Sequence, residues 1–105
     1  MATSEQFSVI ILDGPTQAQR DAVHERVKKV TKSWWHTFDD VWIVRSGTSP
    51  TEWIDRLQPV FKSGPASFLV LGLPGTTDTR SWGYFGPNPT QRVAWLHRYY
   101  TQDKR

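Results

Sequence analysis

Asp13 and His36 are the residues of this sequence placed best for chemistry. Asp13 closes an apolar run at residues 7–12 and precedes Gly14-Pro15. A carboxylate there, doubled by a two-fold axis, would hold one Mg²⁺ together with several waters. In the plainer reading it starts a turn by bonding its own backbone. His36 follows Trp34-Trp35 and stands close to Asp39 and Asp40, a setting for a general acid or base held by a carboxylate. As an ordinary member of a half-buried strand it would simply pack. His24 and His97 fall on the polar faces of predicted helices, and positions 24, 36 and 97 contain no H-x-x-x-H spacing of a zinc site.

A second constellation is aromatic and basic. Arg80, Trp82, Tyr84 and Phe85 interleave with Arg92, Trp95, Arg98, Tyr99 and Tyr100. Arginines beside stacking rings suit single-stranded nucleic acid, with Arg80, Trp82, Arg92, Arg98 and Tyr99 as the expected contacts. The competing use is packing on the sheet or on a second subunit, where Trp and Tyr are favoured. There is no G-x-G-x-x-G, G-x-x-x-x-G-K-[ST] or G-x-S-x-G, so dinucleotide, P-loop and hydrolase-elbow chemistry lack support. Gly72-Leu73-Pro74-Gly75 reads as a turn, because no capped helix follows it.

These residues must be positioned by a small set of elements. The run at 7–12 is β-branched and apolar, which suits a strand buried on both faces or centrally placed. Thr16 and Gln19 form a capping-box pattern, after which Ala22, Val23, Val27 and Val30 recur at helical spacing. Residues 33–38 and 41–46 read as a hairpin turned at Asp39-Asp40. Ser49-Pro50-Thr51-Glu52 is a strong helix start, and Trp53, Ile54, Leu57, Val60 and Phe61 make one apolar face. Pro59 removes an internal hydrogen bond, which predicts a kink or an early end between 57 and 61. Residues 67–72 return to a buried-strand composition. The order is β-α-β-β-α-β, the split βαβ pattern of an α+β ferredoxin-like sandwich. A Gly/Pro-rich loop at 74–89 and a helix at 90–102 capped by Thr90 complete one domain over 1–105, with its core at 6–73.

At 105 residues one core is enough, and six Trp, five Phe and three Tyr supply large buried areas. With no cysteine, disulfides and thiolate metal sites are excluded. No apolar stretch approaches the span of a bilayer and the start lacks signal-peptide character, so a cytoplasmic protein without membrane contact is expected. The formal charge of +3 is mild and suits either a solubilising surface or a weak nucleic-acid footprint.

The layout resembles the small single-domain group of SinR-like and VapD-like proteins and the second CRISPR-associated adaptation protein. The resemblance rests on a strand ending in Asp13, the aromatic Trp34-Trp35-His36, the strand Asp40-Val41-Trp42-Ile43-Val44, Leu57-Gln58-Pro59 and the late Trp95-Leu96. It covers residues 7–72 and that terminal pair. It implies a ferredoxin-like domain that pairs as a homodimer, in a group that includes metal-dependent nucleases. Of the nuclease residues, only the acidic one at the end of strand one carries over, to Asp13.

Three functions follow as expectations. The leading one is a small non-catalytic interaction module, homodimeric, that binds a protein or nucleic acid and needs no cofactor. The alternative is an endonuclease acting through paired Asp13 residues with Mg²⁺. A third is a small-ligand domain with the 74–89 loop as a lid.

Overall fold

A computed structural model describes residues 6–62, 64–75 and 82–101. The chain divides into two compact units, Met1–Leu73 and Pro74–Arg105.

The first unit is an α+β arrangement around a four-stranded, wholly antiparallel sheet in the order β2-β3-β1-β4. Its elements are β1 (Gln6–Asp13), α1 (Gln17–Val30), β2 (Trp34–Trp35), β3 (Val41–Ser46), α2 (Pro50–Leu57), a 3-10 turn (Gln58–Phe61) and β4 (Ser67–Leu73). β1 is central, with Ile10 opposite both Trp42 on β3 and Val70 on β4. Those three side chains share one sheet face with Leu12 and Val44. Val23 and Val27 of α1 and Trp53 and Leu57 of α2 complete the buried cluster on that face. Each such side chain contributes on the order of 1.5–3 kcal/mol by leaving water.

The helix ends form as their residues dictate. Thr16 and Gln19 satisfy each other's backbone N–H groups in a capping box, and Ser49 and Glu52 do the same ahead of α2. α2 ends at Leu57 and tightens into the 3-10 turn that contains Pro59, since the proline has no N–H for the α ladder. β2 is shorter than the aromatic run suggests: only Trp34 and Trp35 pair, with Val44 and Ile43. His36 leaves the ladder to stack on Trp42.

The opposite sheet face is also apolar. Ile43, Val9 and Leu71 form one cross-strand row, and Val41, Ile11 and Leu69 the next. Leu69 and Leu71 are 53% and 46% exposed.

In the second unit, the helix expected over 90–102 is instead two segments, α3 (Pro89–Arg92) and a π-helix (Leu96–Thr101). The start lies at Asn88, which adopts the left-handed conformation at φ 51° and makes no side-chain cap, so Thr90 is inside the helix and does not cap it. Pro89 sets this boundary, because its fixed φ suits the first helical position. Among the described residues, no helix is long and apolar enough to cross a membrane.

Candidate functional site

α1 starts at its capping box, and its 3.6-residue period then brings Arg20, Asp21, His24 and Glu25 along one side. The chain returning from β2 toward β3 faces them with His36 and Asp39, and Trp42 of β3 lies beneath. Together these elements enclose a cleft of about 540 Å³.

Two hydrogen bonds fix the chemistry of its imidazoles. The Trp42 Nε1–H donates to His24 Nδ1 at 3.1 Å. An indole nitrogen only donates, so the neutral His24 ring carries its proton on Nε2. His36 Nδ1 lies 2.9 Å from the Val41 carbonyl oxygen. A carbonyl only accepts, so His36 Nδ1 is protonated and Nε2 keeps its lone pair in the neutral ring. His36 also stacks flat on Trp42, with ring centroids 4.0 Å apart, and the two imidazole centroids are 5.5 Å apart. Burial lowers the pKa of His24 below its ordinary value, and the neighbouring His36 and Lys28 act in the same direction. His24 therefore stays neutral at physiological pH.

The carboxylates take different roles. Asp40 binds the Arg20 guanidinium, and this hydrogen bond is the main cause that raises the Arg20 pKa further above its ordinary value. Asp21 accepts from the Gln17 amide at 2.9 Å. Asp39 is exposed at the rim. The orienting partner of His36 is thus a backbone carbonyl, where the sequence pointed to Asp39 or Asp40. His24, expected on a polar helix face, is half-buried against Trp42; no short-range spacing signals a partner 18 positions away.

Asp13 is exposed at the end of β1, followed by Gly14 at φ 64°. Among the described residues, no three His, Cys, Asp or Glu side chains are grouped to hold a metal ion.

In the second unit the aromatic and basic residues make several separate contacts. The Arg92 guanidinium lies 5.6 Å from the Tyr84 ring centroid and that of Arg98 5.3 Å from Tyr99. Trp95 and Tyr99 are 5.5 Å apart, and Trp82 is 5.0 Å from His97. Trp82 Nε1–H also donates to Thr101 Oγ1 at 2.6 Å. Phe85 is fully exposed. Arg80 lies outside the described residues.

The chain matches no protein-family model. No curated protein and no solved structure is significantly similar to it either. Pro74–Arg105 holds five Lys and Arg against two acidic residues, while Met1–Leu73 balances eight against eight, so the second unit carries the whole +3 formal charge.

Proposed function

We propose that the protein is a non-catalytic interaction module, a ferredoxin-like homodimer related in layout to the SinR-like group, whose Pro74–Arg105 unit binds single-stranded nucleic acid. The observation that carries this reading is the pairing of Arg92 with Tyr84 and of Arg98 with Tyr99 in the segment that holds all the net positive charge. Arginines beside aromatic rings supply positive charge for phosphate oxygens, while the rings supply stacking area for bases. The strand order β2-β3-β1-β4, with both helices packed on one sheet face, supports the ferredoxin-like reading. Leu69 and Leu71, exposed on the other face, support the dimer.

The test is fluorescence polarisation with short oligouridine and oligodeoxythymidine at rising salt. Binding is expected to weaken with salt, with a slope near −0.7 for each phosphate neutralised. Arg98→Ala should flatten the slope by about one such contact, and Tyr99→Ala should cost about 1–3 kcal/mol of stacking. Absence of binding, or binding insensitive to salt, overturns the nucleic-acid reading in favour of a protein partner. Cleavage of the same oligonucleotides with Mg²⁺, abolished by Asp13→Asn, overturns the non-catalytic part. Sedimentation showing only a 12 kDa species at micromolar concentration removes the dimer.

A further inference from the structure

We propose that the cleft between α1 and the β2–β3 connection is a binding site for a small amino alcohol of the amino-sugar class, its hydroxyl bridging His24 and His36 and its ammonium group meeting the acidic rim. In each ring Nδ1 is turned to a protein partner, Trp42 for His24 and Val41 for His36. The ring atom left for the cleft is Nε2 in both, as an N–H donor on His24 and as a lone-pair acceptor on His36. A group that satisfies both at once must accept one hydrogen bond and donate another. A hydroxyl does so; a carboxylate or a phosphate dianion has nothing to donate to His36.

The two rings are held where such a bridge is feasible. Their centroids are 5.5 Å apart, His36 is pinned by its stack on Trp42, and His24 is pinned by the indole hydrogen bond. Neither ring needs to be ordered on binding, which lowers the entropic cost of capture. The volume of about 540 Å³ falls within the usual range for small-molecule sites.

Charge then selects the rest of the ligand. The cation in the lining, Arg20, is already neutralised by Asp40. Asp21 and Asp39 add two carboxylates to the same lining, and Glu25 a third that pairs with Lys28 at 3.4 Å, so the cleft favours a cation over an anion. A protonated amine on a polyhydroxyl frame meets both requirements. This site is separate from the aromatic and basic residues proposed to hold nucleic acid, and either proposal stands or falls alone.

The experiment is an NMR titration of the purified full chain at neutral pH, following the imidazole C–H signals, with D-glucosamine, D-glucose and D-glucose 6-phosphate as three separate probes. Glucosamine is expected to shift the His24 and His36 signals saturably. Glucose should bind about tenfold more weakly or worse, for want of the ammonium, and glucose 6-phosphate not at all. His36→Phe keeps an aromatic ring to stack on Trp42 and should lose at least about tenfold in affinity for glucosamine. Asp39→Asn, at an exposed position, should weaken glucosamine and leave glucose unchanged. The proposal is overturned if glucosamine gives no saturable shift, if glucose 6-phosphate binds as well as glucosamine, or if folded His36→Phe and Asp39→Asn both bind glucosamine as the parent does.

Discussion

Trp42 on β3 donates its indole N–H to His24 Nδ1 on α1, a bond of 3.1 Å that ties helix to sheet. The bond exists only while Nδ1 is unprotonated. With the folded pKa of His24 depressed, first by burial, the unfolded chain takes up the proton more readily. The stabilising contribution is therefore present above the unfolded value of about 6.5 and is lost as pH falls through the lower folded value. Urea midpoints measured near about pH 7.5 and about pH 5 should show this loss. In His24→Gln, whose amide oxygen accepts from Trp42 without titrating, the loss between those two conditions should shrink. An equal loss in both proteins would place the acid sensitivity elsewhere.

Ser8 is buried on β1 with its Oγ unpartnered, and the buried Nε1 of Trp53 is likewise without a hydrogen bond. A desolvated donor without a partner costs about 1–3 kcal/mol, whereas its apolar isostere costs little. Ser8→Ala changes no backbone preference that β1 needs and removes the hydroxyl. It should raise stability by about 1 kcal/mol, or about 4–8 °C in Tm for a domain of this size. Calorimetry that finds a lower Tm would show that the hydroxyl is satisfied in solution.

How far the sequence announces this structure depends on the range of the interaction concerned. The caps at Thr16 and Ser49 and the end of α2 before Pro59 are local, and the residues within four positions determine them. The alternation of β3 is likewise legible, since its burial follows the strand period, and the apolar runs place β1 and β4. But the buried-strand composition of 67–72 overstates β4, where only Val70 is buried and Leu69 and Leu71 are exposed on the other face. The early end of β2 was not legible, because it depends on His36 stacking on a tryptophan of the next strand. The π-helix was not, because Val93, Leu96 and Tyr100 follow the 3.6-residue period of an α-helix and nothing local marks the wider turn. In the cleft, His36 stood out by its neighbours. His24 did not, since what lifts it off the polar face is the bond to Trp42.

The capping box before α2 carries a pH signature of its own. Ser49 donates its backbone N–H to Glu52 Oε1 at 2.9 Å, and this bond holds the Glu52 carboxyl below its usual pKa. A depressed folded value means the contribution is present above the unfolded pKa of about 4.3 and fades as pH falls through the folded one. Glu52→Gln should keep the box and remove that acid-linked component. Ser49→Ala removes the acceptor for the Glu52 backbone N–H and should cost about 1 kcal/mol at neutral pH. Denaturant midpoints of both variants at neutral and acidic pH test the pair. An unchanged midpoint in Ser49→Ala would mean that solvent caps α2 as well as the serine does.

In the second unit the Trp82 indole donates to Thr101 Oγ1 at 2.6 Å, and Thr101 is fully buried. That bond ties the chain entering the unit to the end of the π-helix that carries Arg98 and Tyr99. Thr101→Val preserves shape and removes the acceptor, leaving the indole N–H to find water or go unpaired at a cost of about 1–3 kcal/mol. The loss should be local: hydrogen exchange should quicken in residues 96–101 and stay unchanged in β1 and α1. If Arg98 and Tyr99 contact nucleic acid, this variant should also weaken oligonucleotide binding while keeping its salt slope, because the contacts persist and only their ordering becomes more costly. A flattened slope would mean that a phosphate contact itself had been lost. Unchanged exchange throughout the unit would show that the Trp82–Thr101 bond holds nothing in place.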